Sequence, residues 1–299
     1  MTLLSYQVFM AVADQGSFQK AAQTLQLTPS AVSHAVAAME EELGSPLFVR
    51  SKRGVSLTNY GKELFPYIKN VLNSDEYLQQ AVAQFNGLQK GSVRLGTFNS
   101  ACVEWMPGLL KDFQQEYPNV RVEIYQGSYH DVKRWLKDGI VDLGFLSSLS
   151  VGDLNYEPVY EDRIVCVTPK GFQPRHPGYI TVEELKEQKF VTQMEGCDAD
   201  VNSFMKKYGL PARGNSYIVD DMSAIALVMG GYGLCLVPEL VIRNLSFPVD
   251  VYPLDVDEKR TIVLASLNAA AQAPAVRRMH DYIVARLRDG GSEADKKKP

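Results

Sequence analysis

Between Ser17 and Leu43 two short helical patterns are separated by a gap that leaves room only for a tight turn. In SFQKAAQTL, Phe18, Ala21, Ala22 and Leu25 share one helical face, and Ser17 is placed to cap it. After Gln26 and Leu27, Thr28 caps a second helix whose first position is Pro29, where the missing N–H is no loss. Val32, Val36, Met39 and Leu43 then recur at four, three and four, a core-facing stripe. The opposite face shows only small or polar groups: Ser30, Ser33, His34 and Ala37. A further helix precedes them over residues 3–13, with Leu4, Val8 and Val12 on one stripe and Phe9 beside it, ended by Asp14-Gln15-Gly16. Two short helices whose second presents small polar groups fit a helix-turn-helix, in which the second helix enters a major groove about 12 Å wide. The same pattern also serves a plain helical hairpin.

The next segment bears on that choice. LFVRSKRGVSLT reads as two short strands around the basic turn Lys52-Arg53-Gly54. A hairpin tipped by Arg and Lys is a wing able to reach phosphates or the minor groove, or else a solvated loop. The net charge of -4 does not itself point to nucleic acid, and the first 58 residues balance four bases against four acids. Three of those bases, however, fall between Arg50 and Arg53, so placement matters more than the total. Thr58 then caps a long helix from about Asn59 to Gly87. Leu64, Ile68, Val71, Leu78, Val82 and Phe85 form a heptad seam broken once, at Asp75. Such a seam asks for a partner helix from a second copy, or for a resting place on its own domain.

After Gln89-Lys90-Gly91-Ser92 the pattern changes to alternating strands and helices. The expected strands are 93–98, 120–125, 141–146, 163–168, 189–193, 215–219, 234–238 and 261–267, with helices near 101–116, 129–138, 199–208, 222–229 and 273–288. Thr181-x-x-Glu184 marks a further helix start. Residues 289–299, polar and ending in Lys296–Lys298, are expected to be disordered. The apolar N-terminus lacks a basic flank, and no apolar run reaches the roughly 18–20 residues of a membrane span, so a cytoplasmic protein without membrane contact is expected. The four cysteines form neither a CxxC pair nor a zinc pattern.

The order of helix, helix-turn-helix, basic wing, long helix and two α/β lobes resembles the LysR-type transcriptional regulators over about residues 2–288. The stretch GSFQKAAQTLQLTPSAVSHAVAAMEEELGSPLFVRSKRGVSLTNYG is similar to that family's DNA-binding signature nearly throughout. The implied fold class is α/β: an N-terminal winged helix-turn-helix (1–58), a linker and dimerisation helix (59–90), and a two-lobed periplasmic-binding-protein-like effector domain (91–299). Lobe I is expected at about 91–161 and 268–288, and lobe II at about 162–267, with crossings near 160–163 and 266–268. The resemblance implies that Thr28, Ser30, Ser33 and His34 face the major groove, and that Arg50 and Arg53 contact backbone or minor groove. His34 stands where the family usually has arginine, which weakens a phosphate contact or makes it pH-dependent, and Tyr60 stands where a small residue is common. The partners implied are operator DNA, a small polar effector and a second copy, as homodimer or homotetramer, with no cofactor and no metal. The effector would sit between the lobes against Thr97, Asn99, Ser100, Ser128 and Ser147 on one side and Thr192 and Gln193 on the other. Ser128 with Asp131 also fits a simple helix cap, and Asn99 and Ser100 can do the same. Glu195 near the cleft opposes an anionic ligand.

Other functions fit less well. An enzyme would need a motif such as GxSxG, a P-loop or HExxH, and the sequence has none; its four histidines are scattered. A solute-binding protein would not carry the N-terminal module. A redox-sensing member of the same family is the alternative, because Cys197 lies near the reactive cysteine of peroxide-sensing relatives. Its neighbours Glu195, Asp198 and Asp200 would raise its thiol pKa, however, and Lys206 and Lys207 occupy the place of a second cysteine.

Overall fold

A computed structural model describes the chain except for residues 53, 86–89, 195–197, 212–217, 244–246, 268–271 and 295–299, and except for the side chains of 289–294. Two compact units divide it: residues 1–90 with 137–140, and the remainder.

The first unit opens with α1 (Leu3–Gln15), whose Thr2 and Ser5 form a reciprocal cap. α2 (Phe18–Thr24) and α3 (Pro29–Leu43) follow, capped by Ser17 and Thr28 as their side chains dictate. The turn between them places Gln26 in the left-handed region, at φ 56°. β1 (Phe48–Ser51) and β2 (Gly54–Leu57) pair antiparallel, with Ser51 opposite Gly54 at the tip. Val8, Phe9, Val12, Ala21, Ala22, Val32, Val36, Met39 and Leu47 form the core. Leu4 stays half exposed in the first turn of α1, outside that cluster.

The long helix α4 (Asn59–Phe85) carries the seam, but the structure splits it. Ile68 is buried in the core of the head, and Leu64, Phe65 and Leu72 pack against it. The start of the linker helix is therefore a structural part of the N-terminal head, and residue 58 does not separate two bodies. Beyond it, Val71, Leu78, Val82 and Phe85 are exposed, Phe85 at 96%. Among the described residues, this second half of the seam stays outside the head's core.

In the second unit, β3 (Gly91–Thr97), α5 (Asn99–Glu116), β4 (Val120–Gln126), α6 (Tyr129–Lys137) and β5 (Leu143–Ser147) begin lobe I, with β3 parallel to both β4 and β5. β6 (Asn155–Pro169) is a single strand of 15 residues that serves both lobes. Its first half pairs with β9, and its second half, from Ile164, pairs with β7 and β8. Lobe II adds α7 (Val182–Leu185), α8 (Ala199–Tyr208), α9 (Asp221–Met229), β7 (Cys235–Pro238) and β8 (Val249–Tyr252). Ile164 and Cys166 of β6 face one of its apolar clusters and Val165 and Val167 the other, so the strand is covered on both sides. β9 (Lys259–Ser266) then returns to pair with β5 and β6, and α10 (Pro274–Ala294) closes the chain.

Two expectations are corrected. The return crossing lies at about 258–259 rather than 266–268, so β9 belongs to lobe I: its partners β5 and β6 are hydrogen-bonded along its whole length. Second, the end of the chain is helical to Ala294, where disorder was expected from 289; residues 295–299 lie outside the described part. β8 and the first half of β6 were not expected, since VDVY is short and NYEPVYED reads as a polar, proline-broken loop. Among the described residues no helix is long and apolar enough to cross a membrane.

Gly61 tests the fit of α4 on the head. A Cβ there would stand 2.4 Å from the carbonyl oxygen of Leu47, which already accepts the N–H of Thr58. Gly61→Ala, usually favourable inside a helix, is expected to lower stability by about 2 kcal/mol, read by denaturant unfolding. A neutral or stabilising result would contradict this packing.

Candidate functional site

On the head, Ser30, Ser33, His34 and Ala37 of α3 line a concavity of about 300 Å³ with Phe18, Glu40, Phe48 and Arg50. Four of the six residues expected to meet DNA thus share one surface. β1 is held there by Glu40, whose carboxylate accepts the N–H groups of Leu47 (2.7 Å) and Phe48 (3.1 Å). The Arg50 guanidinium lies 4.5 Å over the ring of Phe18, which aims it along the same face. Thr28 is spent as the cap of α3, its hydroxyl accepting from the N–H of Ala31 at 3.1 Å. Arg53 lies outside the described residues.

In the second unit a cavity of about 570 Å³ opens between the lobes. Lobe I supplies Phe98, Asn99, Ser100, Gln126, Gly127, Ser128 and Tyr129, from the start of α5 and the start of α6. Lobe II supplies Gln193, Asp198, Val219, Asp220, Asp221 and Met222, from the starts of α8 and α9. Arg260 completes the lining from β9.

Asn99, Ser100, Ser128 and Gln193 are therefore brought together, and the other expected residues are not. Thr97 is fully buried at the end of β3 and donates to the carbonyl of Phe98. Ser147 donates to Asp200 at 2.8 Å, a link from lobe I to lobe II rather than to a ligand. Thr192 faces a gap of about 20 Å³ inside lobe II. Ser128 does act as a cap, bonded to Asp131 at 2.7 Å, while still lining the cavity. Asn99 and Ser100 do not cap: α5 begins behind Phe98 with no side-chain bond to its first turn.

The charged groups of the cleft were not expected. Arg260, 3% exposed, donates to Tyr129 (2.8 Å), to Ser100 (3.2 Å) and to Asp162. Burial works against its charge, but Tyr129, Asp162 and Asp198 outweigh that and hold its pKa above the usual arginine value. On lobe II, Asp221 is pushed up to about 6 by burial and by Asp198, against Arg260 and Gln193. Asp200, behind them, is also pushed up to about 6, chiefly by burial, and its Oδ2 has no partner among the described residues. The only sequence signal was the acidic run Asp198–Asp200 and the pair Asp220-Asp221, which also read as helix caps, a role that Asp198 and Asp220 fill. Glu195 and Cys197 lie outside the described residues. Of the other cysteines, Cys166 and Cys235 are buried, and burial pushes both thiols up, Cys235 to about 12.

A helix-turn-helix head with a two-lobed, ligand-sized cleft defines a ligand-responsive DNA-binding regulator. The family model "Bacterial regulatory helix-turn-helix protein, lysR family" matches residues 3–62, and "LysR substrate binding domain" matches 86–288. The chain belongs to the LysR family of transcription regulators. It is 29% identical to the uncharacterized HTH-type transcriptional regulator YvbU of Bacillus subtilis, covering 91% of this chain and 95% of that one. It is 27% identical to the HTH-type transcriptional activator CmpR of Synechocystis, covering 86% and 85%. A full-length OxyR variant from Pseudomonas aeruginosa has the same fold, with a TM-score of 0.76 and 20% identity over 96% of this chain and 95% of that one. The protein is thus a DNA-binding regulator with an effector-binding domain, and not an enzyme.

The acidic wall has a measurable consequence for stability. A carboxyl group whose folded pKa is raised supports folding below its unfolded value, near 3.9, and loses that support as pH rises through about 6. Asp221→Asn keeps an acceptor for Gln193 and removes the charge. Its melting temperature relative to the parent is expected to be higher at pH 7.5 than at pH 4.5, by on the order of 1 kcal/mol in stability. An equal shift at both pH values would show that Asp221 carries no unfavourable charge.

Proposed function

We propose that α3 lies in the major groove of operator DNA, with Ser30, Ser33 and His34 at the base edges and Arg50 on the phosphate backbone. The observation that carries this is the single concavity in which those four side chains meet. Thr28 contributes by fixing the start of α3, whose first-turn N–H groups face phosphate. We further propose that a small effector binds in the 570 Å³ cavity against Asn99, Ser100, Ser128 and Gln193, and that it shifts the balance between open and closed lobes. The exposed half of the α4 seam, Val71, Leu78, Val82 and Phe85, supports pairing with a second copy, which sets the spacing of two DNA heads. The protein works where its operator is, in the cytoplasm.

Gel-shift titration at several salt concentrations tests the head. Arg50→Ala is expected to weaken binding to all sequences and to lower the salt slope by about one unit, as for one lost phosphate contact. Ser33→Ala is expected to act on the cognate site alone. Unchanged binding in both would remove this face from the interface. For self-association, Leu78→Asp places a charge on the exposed seam, and sedimentation should then report monomer; a dimer of normal stability would mean that the copies pair elsewhere.

A further inference from the structure

The two walls of the cleft differ in charge. On lobe I, no side chain among the described residues caps α5, and its start, at Asn99 and Ser100, lines the cavity, so its first-turn N–H groups are placed to meet an anionic group. On lobe II the ionisable groups lining the cavity, among the described residues, are carboxylates. Asp220 is committed to Ser223 through both oxygens. Asp198, only 8% exposed, accepts the N–H groups of Asp200 and Val201 with Oδ1, and its Oδ2 has no hydrogen bond among the described residues. Asp221 receives Gln193 on one oxygen. Asp198 is near enough to both Asp200 and Asp221 to disfavour their ionisation, so a cation between them would relieve a repulsion built into the fold.

Between the walls, Arg260 is already paired with Asp162, yet its buried Nε finds no partner among the described residues. The lining carboxylates outnumber this one guanidinium. A dianion would meet them unscreened, and a simple amine would leave the α5 terminus unused. Phe98, Val219 and Met222 add apolar surface for a side chain.

Taking the interlobe cleft to be the effector site, as proposed above, we infer that the effector is a zwitterionic amine of the amino-acid class. Its carboxylate sits at the start of α5, and its ammonium group lies between Asp198 and Asp221.

The test uses the full-length protein. The twenty L-amino acids of proteins are screened by thermal shift, and the strongest is titrated by calorimetry beside its 2-oxo acid and its decarboxylated amine. Each analogue lacks one of the two charges, and each is expected to bind at least about tenfold more weakly than the parent. Asp198→Asn keeps the helix cap and loses the charge; in a variant whose circular dichroism matches the parent, it is expected to weaken the amino acid by at least about tenfold. No response to any amino acid, or a 2-oxo acid that binds as well as its parent, overturns the ligand class. Val219→Trp, which fills the cavity from an exposed position, separates the two readings. If anionic compounds bind the parent and lose affinity in this variant, the cleft stands and the zwitterion falls. If an amino acid binds the parent and the Trp variant alike, the cleft itself is the wrong site.

Discussion

A guanidinium taken out of water is tolerable only when its charge is compensated, and Arg260 meets its two terminal nitrogens with groups from three other places in the chain. Tyr129 opens α6, Ser100 opens α5, Asp162 lies on β6, and the arginine itself stands one residue into β9. Asp162 in turn accepts the N–H of Leu240, in the helical turn that follows lobe II's β7. The starts of the two lobe I helices, the crossing strands and the edge of lobe II are thus tied to one charge. Removing either member of such a buried pair typically costs about 3–5 kcal/mol, because the other is left uncompensated. The same arginine forms part of the cavity wall, so the element that fixes the frame also lines the cleft.

What the sequence revealed divides along the range of the interactions. Ser17, Thr28 and Thr181 cap helices three residues away, and each cap was legible because donor and acceptor lie in one turn of chain. The stripe of Val32, Val36 and Met39 was legible for the same reason: periodicity is local. The pairing of Asn155 with Ser266 is not local, and nothing in NYEPVYED announces a strand until β9 arrives to bond it. For this reason lobe II was drawn too long. Reading the small polar face of α3 as one for DNA needed the family signature as well as the helical period, since small polar faces are common. Arg260 stands just ahead of the strand expected at 261–267 and drew no expectation from the sequence; only the fold shows it buried. Thr97 illustrates the reverse. Position at the end of a strand suggested the cleft, but its side chain is turned inward, and the helix start one step later lines the cavity.

The long helix combines two roles in one stripe of residues. Its first turns are core, and its last are a surface of the kind a soluble monomer seldom leaves bare. A heptad count alone treats Ile68 and Phe85 as equivalent, although one is 6% exposed and the other 96%. The difference comes from what has already been packed against the helix before a partner arrives.

Because β9 lies between β5 and β6, lobe I is assembled from two stretches of chain with all of lobe II inserted between them. On a ribosome, the head and lobe II can each be complete while lobe I still lacks its inner strand and its closing helix. The cavity between the lobes is therefore complete only once β9, with Arg260, has emerged. A message cut short before β9 would encode the whole head and all of the cleft lining except Arg260, but not the strand that joins the lining into one wall. Such a fragment would pair a finished head with a second unit whose central strand never arrives.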